Sequence, residues 1–201
     1  MFSCNVMART IIDETMTELG TYEELSRATC RTLLNETLGR LYTDVVREEA
    51  EVACSPADGA ISFSALILPS DNAGLRAEDI LRIRKGTQFI HYLPPQRFTL
   101  VQSADGNFYT VQGGKLLFTP TFTGHGMHLT YLRRPRPFTE GDEGRMLPIP
   151  DEYVSMIRAK LRGEMFKLAN EDALAAKWLG EYNAVLPAFA AYCERARRAL
   201  S

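Results

Sequence analysis

The histidines are the side chains of this sequence best suited to metal or acid–base chemistry. There are three, His91, His125 and His128, and the last two stand in the segment His-Gly-Met-His. That spacing suits a metal ion, but protein metal sites usually need a third ligand, and no cysteine or other ligand lies near it. Alternation with Leu129 places His128 on the solvent side of a predicted strand. We therefore predict no metal site and no other cofactor.

Pairs of acidic residues are the second place where chemistry is possible. Asp142 and Glu143 stand in a polar loop, and Asp151 and Glu152 stand at the start of a predicted helix. Solvation explains the first pair, and the positive end of the helix dipole explains the second. The sequence also lacks a phosphate-binding loop, a GxGxxG turn, a GxSxG turn and a cysteine in a nucleophile setting. We predict that the chain is not an enzyme.

Basic residues form two groups that suggest contact with nucleic acid. One group lies on a predicted strand and the other follows a later strand: Arg82, Arg84, Lys85, Arg133, Arg134 and Arg136. Nearby aromatic rings are able to stack on bases, and they are Phe89, Tyr92, Phe98 and Tyr131. We favour a simpler interpretation, which is a solvated sheet face over an aromatic core. A net charge of -2 gives the whole chain no general attraction to DNA.

Composition limits the class of protein further. The chain has 201 residues, of which 45% are apolar, enough for one or two compact domains. No apolar run approaches the roughly 20 residues of a transmembrane helix. Acidic residues between Met7 and Leu19 argue against a signal peptide. The cysteines have no CxxC spacing, which favours buried thiols in a reducing compartment; they are Cys4, Cys30, Cys54 and Cys193.

Helical spacing marks the N-terminal part of the chain. Apolar residues recur every three or four positions between Asn5 and Leu19 and predict a short helix that ends at Gly20. Thr21 and Glu24 then match a capping box, which is a signal for the start of a helix. We predict a long second helix from Tyr22 to about Ala53, with one apolar stripe for packing against other helices.

The period of the pattern changes after the break Ser55-Pro-Ala-Asp-Gly59. Short alternating segments predict strands at residues 61–65, 79–84, 87–93, 97–102, 108–112, 115–119 and 127–132. Gly113-Gly114 predicts a tight hairpin turn, because glycine readily adopts the positive φ of such turns. Pro94-Pro95 interrupts strand pairing. This part of the chain therefore predicts a small antiparallel sandwich or open barrel.

The C-terminal part is helical again. Pro150 suits a first helical position, Asn170 interrupts the helix that follows, and Pro187 predicts a kink or a break in the last helix. Two aromatic residues of the last apolar stripe are interpreted as core rather than as the walls of a ligand pocket: Trp178 and Tyr182.

The parts combine into an α+β fold, in which a helical bundle of N- and C-terminal helices carries an inserted small antiparallel β domain. The predicted domain boundaries are 1–54 for the N-terminal helices, 55–137 for the β domain and 138–201 for the helices that complete the bundle.

The order of these parts resembles a known family. Three segments carry the likeness: Tyr109-Thr-Val-Gln-Gly-Gly-Lys-Leu-Leu-Phe-Thr-Pro120, Leu129-Thr-Tyr-Leu-Arg-Arg-Pro135 and Leu147-Pro-Ile-Pro-Asp-Glu-Tyr153. They resemble the strand–turn–strand and the following loop of head-to-tail adaptor (connector) proteins of tailed bacteriophages. The segment from Leu168 to Tyr182 looks like the closing helices of that family. The likeness covers most of the chain, and residues 55–108 match least.

The resemblance implies a structural virion protein of the neck, between the capsid portal and the tail, assembled in the bacterial host cytoplasm. Adaptors of this kind form a ring, commonly twelve-fold, beneath the portal protein. They extend the DNA channel and provide a platform for a tail or nozzle protein. The resemblance also implies that DNA passes through the lumen without specific binding, which a mildly acidic chain suits.

Two sets of site residues follow from this analogy. The C-terminal arginines would dock on the portal, although an alternative is that they only stabilise the helix C-terminus: Arg195, Arg197 and Arg198. Two loops would face the tail, and their residues are Ser103, Asp105, Gly106, Gly113 and Gly114.

Two other functions stay open. The chain could be another neck or tail-completion protein, or a small nucleic-acid-binding module built on the β part. Salt-dependent DNA affinity of residues 55–140 would favour the second of these.

Overall fold

The computed structural model describes residues 4–20, 22, 25–101, 106–119 and 126–200. The chain divides into two compact units. The helical unit comprises residues 1–46 and 137–201, and the β unit comprises residues 47–136. Among the described residues, no helix is both long enough and apolar enough to cross a membrane.

The helices are α1 (Ala8–Glu18), α2 (Arg27–Leu41), α3 (Pro95–Val101), α4 (Val154–Leu168) and α5 (Asp172–Leu200). All except α3 belong to the helical unit. A π-helical turn, Tyr42–Val46, extends α2. The capping box predicted at Thr21 and Glu24 lies outside the described residues. In the structure, the N-cap of α2 is Ser26, whose Oγ accepts a hydrogen bond from the Thr29 amide at 3.1 Å.

Helix α4 is the centre of the helical unit. It packs against α1, α2 and α5, and the buried side chains occur all round it rather than along one stripe. The N- and C-terminal helices therefore share one core, as the sequence predicts. Its largest fully buried members include Ile11, Leu34, Leu147 and Phe189. The two aromatic residues predicted as core in α5, Trp178 and Tyr182, are partly buried and pack against this core.

The sequence predicted two interruptions in the C-terminal helices, one at Asn170 and one at Pro187, and only the first is present. Asn170 adopts φ +59° between the two helices and ends α4, as predicted. The break considered at Pro187 is absent, because α5 continues through that residue to Leu200. Pro187 leaves the carbonyl of Asn183 without its helical partner, and Asn183 is exposed, so this side of the helix is open to water.

The β unit contains β1 (Glu49–Cys54), β2 (Ala60–Ser62), β3 (Ile80–Lys85), β4 (Gln88–Tyr92), β5 (Phe108–Gln112), β6 (Lys115–Phe118) and β7 (Met127–Leu132). They form one open sheet, a half-barrel, in the order β1-β7-β3-β4-β5-β6-β2. The structure thus confirms the α+β class with a β insertion. The inner face of the sheet is apolar, and four of its side chains are completely buried: Ile83, Leu116, Met127 and Leu129.

The predicted hairpin is present between β5 and β6. Gly113 and Gly114 have φ of +57° and +71°, and Gln112 pairs with Lys115 across the turn. Positive φ at both central residues is the signature of a type I′ turn.

Three details of the prediction were wrong. The helix expected to reach Ala53 ends at Val46, because Glu49–Cys54 pairs with β7 as an edge strand. The segment 97–102 was predicted as a strand, but Pro95–Val101 is helix α3, with the Pro94 carbonyl accepting the amides of Arg97 and Phe98. The sheet is mixed rather than antiparallel: β4 and β5 run parallel, and α3 is the crossover that parallel neighbours require.

Candidate functional site

The basic end of α5 is a surface of exposed positive charge. Arg195, Arg197 and Arg198 are all exposed on the last turns of the helix. Arg198 pairs with Glu194 one turn earlier. Among the described residues, Arg195 and Arg197 form no ion pair, so two of the three predicted docking arginines present an uncompensated charge. Phe189 and Cys193 anchor this end of α5 in the core.

The predicted tail-facing residues are only partly described, and those that are described lie apart. Ser103 and Asp105 lie outside the described residues. Gly106 precedes β5, where its carbonyl accepts a hydrogen bond from the Thr119 hydroxyl. Gly113 and Gly114 follow β5. A strand of about 17 Å, at about 3.3 Å per residue, therefore separates the two sets.

The arginines of β3, which suggested a nucleic-acid surface, lie in a ladder of ion pairs on the outer face of the sheet. Arg82 pairs with Glu49 at 3.3 Å, and Arg84 donates to both carboxylate oxygens of Glu51 at 3.1 Å. His128 Nδ1 lies 2.9 Å from the same Glu51 carboxylate. The hydrogen bond from Arg84 lowers the pKa of Glu51 below its ordinary value. These arginines therefore offer DNA little net charge.

The second basic group has a structural role. Arg133 pairs with Glu48 at 2.9 Å and also with Asp71. Arg134 Nε lies 2.6 Å from Asp79, which is 2% exposed. Burial raises the pKa of Asp79 and outweighs the opposing effect of Arg134. These arginines bind carboxylates within the β unit, and their side chains are only 14% and 16% exposed. The prediction of a solvated sheet face is therefore wrong for Arg133 and Arg134, and their burial also argues against DNA contact.

Glu143 is the polar residue whose environment the sequence prediction missed. We interpreted it as a solvated loop residue, but it is 2% exposed. Its carboxylate accepts hydrogen bonds from Arg27 Nη2 at 2.5 Å and Arg31 Nη1 at 2.7 Å. Burial raises the pKa of Glu143, but the two arginines outweigh burial and hold that pKa below its ordinary value.

The loop that carries Glu143 also holds the N-terminus of α1. The Arg9 amide donates to the Glu143 carbonyl at 2.8 Å, and the Ala8 amide donates to the Arg145 carbonyl at 3.1 Å. These bonds satisfy amides that a helix start leaves without helical partners. The spacing of Arg27 and Arg31, one turn apart on α2, was the available signal for a shared carboxylate partner.

The cysteines are not activated as nucleophiles. All four cysteines are free and buried, and burial raises the pKa of Cys30 to about 12 and of Cys54 to about 11. Across the described parts of the chain, no three His, Cys, Asp or Glu side chains are grouped so that they could hold a metal ion. His125 lies outside those parts.

Large apolar side chains are exposed on the β unit. Leu100 of α3 is 83% exposed and Phe89 of β4 is 52% exposed, and Ile67 and Tyr92 are also largely exposed. Single exposed apolar side chains are common on protein surfaces, so these residues do not define a binding surface by themselves.

The described residues show no catalytic or metal-binding group, and their polar side chains mainly form ion pairs and hydrogen bonds within the fold. The end of α5 carries exposed arginines, and the β unit carries exposed apolar side chains. The chain belongs to the SU10 adaptor protein family, whose model matches residues 8–200. This is a family of phage head-to-tail adaptors, which are structural proteins of the virion neck rather than enzymes and bind neck partners such as the portal. No curated protein matches the sequence.

Proposed function

We propose that copies of this chain form a ring beneath the portal, extend the DNA channel and provide the platform on which the tail is built. The family shows the adaptor role, and the ring, its channel and its twelve-fold symmetry are our proposal. The observation that carries it is the end of α5, where a core-anchored helix presents Arg195 and Arg197 without ion-pair partners among the described residues.

The portal is the partner that we propose for this basic end. A row of exposed guanidinium groups on a rigid helix favours a surface of carboxylates, because charge-assisted hydrogen bonds are the strongest that arginine makes. The positive ends of all copies in a ring would face one rim of the portal. Arg198 contributes less in this proposal, because Glu194 already neutralises it.

The tail side of the adaptor belongs to the β unit in this proposal. The loop at Ser103, Asp105 and Gly106 and the hairpin turn at Gly113 and Gly114 are the candidate contacts for a tail or nozzle protein. Because Gly106 and the hairpin turn lie at opposite ends of β5, we propose that the two sets make separate contacts. Charge reversal at Asp105 that left tail attachment intact would remove that loop from the interface.

DNA passes through the proposed channel without specific binding. The ion-paired arginines of the sheet support this, since free cationic side chains would retain the DNA backbone. The alternative function, a nucleic-acid-binding module, has little support from the paired arginines.

Native mass spectrometry of the chain mixed with the portal ring from the same genome tests the proposed function. We expect binding in the stoichiometry of the portal. Deleting residues 194–201 should abolish portal binding, and so should the double substitution Arg195→Gln/Arg197→Gln. Arg40→Gln is the matched control, since Arg40 is exposed on α2 and has no ion pair among the described residues. A chain that never binds the portal would instead be another neck or tail-completion protein.

A further inference from the structure

Strand β1 is an edge of the sheet, and one of its two sides offers backbone hydrogen-bonding groups to solvent. On its other side it pairs with β7. The Arg133 amide donates to the Glu48 carbonyl at 2.8 Å, and this bond fixes the phase of the antiparallel ladder. Every second residue from Glu48 onward bonds β7, and the residues between them point their amide and carbonyl groups away from it. We call these the outward residues of β1: Glu49, Glu51 and Ala53.

The outward residues form a regular and open edge. Among the described residues, nothing pairs with their backbone groups on the free side, and all three are exposed. They span about 13 Å, at about 3.3 Å per residue. The ladder with β7 runs from Glu49 to Cys54 without a bulge, and β1 contains no proline. An edge of this kind is a template on which a further strand can form.

The opposite edge of the same sheet is closed. Its strand, β2, has only three residues, and the chain folds back on it. The Ala57 amide donates to the Ala60 carbonyl at 3.1 Å, and the Ala60 amide donates to the Ala57 carbonyl at 3.0 Å. Proteins commonly shorten or cover an edge strand to prevent pairing with other chains. This chain protects β2 in that way and leaves β1 open, which indicates that β1 receives a strand.

The carboxylates of β1 extend away from the open edge. Charged side chains on an edge strand normally obstruct another strand. Glu49 and Glu51, however, form ion pairs with Arg82 and Arg84 of β3, which lies on the far side of β7. The two glutamate side chains therefore reach inward across β7, and the backbone at the edge stays accessible.

The side chains beside the edge determine which strand fits. On the inner face, Ala50 and Val52 are small and only partly buried against the apolar core of the sheet, so apolar side chains of an added strand would cover them. On the outer face, Glu49 has one ion pair, at 3.3 Å, and its side chain is 53% exposed. A lysine or arginine of the added strand would complement it. The fitting segment therefore alternates apolar residues with basic or polar ones.

A second copy of the chain offers no suitable strand among its described residues. Because β2 is closed, the available edge of that copy would be its own β1. Antiparallel pairing of two β1 strands at their midpoint sets Glu51 opposite Glu51, and like charges directly opposite destabilise a sheet. A shift by one hydrogen-bonded step sets Glu49 opposite Glu51 or leaves only two facing pairs. The strand that covers β1 therefore belongs to a different protein.

We propose that β1 is the docking site for an extended segment of the tail or nozzle protein, which adds to the sheet beside β1. Main-chain hydrogen bonds with the outward residues supply the affinity, and the alternating side chains supply the specificity. The choice of this partner rests on the proposed function, which gives the tail side of the adaptor to the β unit. The open edge itself does not depend on that function.

Hydrogen exchange of the full chain tests the proposal directly. In the free chain, the amides of β1 that donate to β7 should exchange slowly, and those of the outward residues should exchange at the rate of solvated amides. The tail or nozzle protein from the same genome is then added to the free chain and to the chain bound on the portal ring. We expect exchange of the outward amides to slow by about tenfold or more. Unchanged exchange in both mixtures overturns the proposal.

Ala53→Pro is the variant that blocks the edge. The Ala53 amide points outward, so its loss removes no bond to β7, and proline is tolerated on edge strands. We expect the melting temperature to change by less than about 3 °C. The affinity for the tail or nozzle protein should fall by about tenfold or more, because proline removes a donor and its ring obstructs the added strand.

Ala53→Thr is the matched control, since threonine keeps the amide and suits a strand. It should bind the tail or nozzle protein as the natural chain does. Equal affinities of the proline and threonine variants overturn the proposal. If Ala53→Pro unfolds the β unit, the exchange measurement on the natural chain decides alone.

Portal binding separates this inference from the proposed function. Ala53→Pro should bind the portal ring like the natural chain, because the proposed portal contact lies at the end of α5. A natural chain that never binds the portal removes the proposed ring, whereas exchange with the tail or nozzle protein still decides the role of β1. If the outward amides become protected in the free chain as its concentration rises, the edge pairs with a second copy, and the proposed partner is wrong.

Discussion

Gly163 of α4 lies directly against Leu179 of α5. A β carbon at Gly163 would stand 2.7 Å from Leu179 Cγ and 3.1 Å from the Leu179 backbone nitrogen. Because a real β carbon does not approach so closely, the two helices meet here only while the residue is glycine. This contact fixes the distance between the central helix of the helical unit and the helix that carries the C-terminal arginines.

Replacing Gly163 by alanine should therefore destabilise the chain. The methyl group forces α4 and α5 apart, and overpacking of this kind costs about 1–3 kcal/mol. Urea unfolding measures the change. Gly39→Ala is the control, since its β carbon would meet nothing within 4 Å and alanine is the better helix former. We expect it to be neutral or stabilising by up to about 1 kcal/mol. Equal changes in unfolding free energy for Gly163→Ala and Gly39→Ala would contradict the close contact between Gly163 and Leu179.

Removing the Glu143 carboxylate should also destabilise the chain. Glu143→Gln leaves Arg27 and Arg31 without their shared partner. Breaking a fully buried ion pair costs about 3–5 kcal/mol. Here we expect about 2 kcal/mol, because Arg27 is partly exposed and water can solvate it. Glu140→Gln, at an exposed position of the same loop, should change the unfolding free energy by less than about 0.5 kcal/mol.

The same carboxylate should make stability depend on pH in the acid range. Its pKa in the folded chain lies below its ordinary value. Its contribution is therefore complete above the pKa of the unfolded chain, about 4.3, and is lost as the pH falls through the lower folded pKa. Between about pH 5 and pH 3, the unfolding free energy of Glu143→Gln should fall less steeply than that of the natural chain. If the unfolding free energies of the variant and of the natural chain fell in parallel with pH, Glu143 would not titrate as the structure indicates.

The sequence was informative where local chemistry decides structure. The paired glycines at Gly113 and Gly114 predict a tight hairpin turn of type I′ or II′, because glycine readily adopts the positive φ that such turns require. Asn170 ends α4 for a related reason. The helical stripes of α4 and α5 predict their shared core, since one apolar side of a helix needs an apolar partner.

Features that depend on distant partners could not be predicted in this way. The segment Glu49–Cys54 continues a helical pattern locally, and only β7, far along the chain, makes it a strand. In the sequence, Glu143 cannot be distinguished from a solvated loop carboxylate, and only the folded position of α2 places Arg27 and Arg31 beside it. In the sequence, the arginines of β3 suggest a DNA-binding surface. In the structure, Glu49 and Glu51 of β1 form ion pairs with them. Their partners lie far away in sequence, and strand or helix periodicity contains no information about such pairs.

Freeing the sheet arginines should create DNA affinity that the natural chain lacks. Glu49→Gln/Glu51→Gln removes the partners of Arg82 and Arg84. The logarithm of the DNA association constant falls linearly with the logarithm of the salt concentration. Each arginine that becomes available to a phosphate should make that slope steeper by about 0.9. Fluorescence anisotropy with a labelled DNA duplex at several salt concentrations measures that slope. Glu36→Gln/Glu140→Gln, which makes the same change of two charges at exposed positions of the helical unit, is the control for net charge alone. If the natural chain binds as tightly as the double variant, the glutamates do not neutralise these arginines, and the nucleic-acid-binding function regains support.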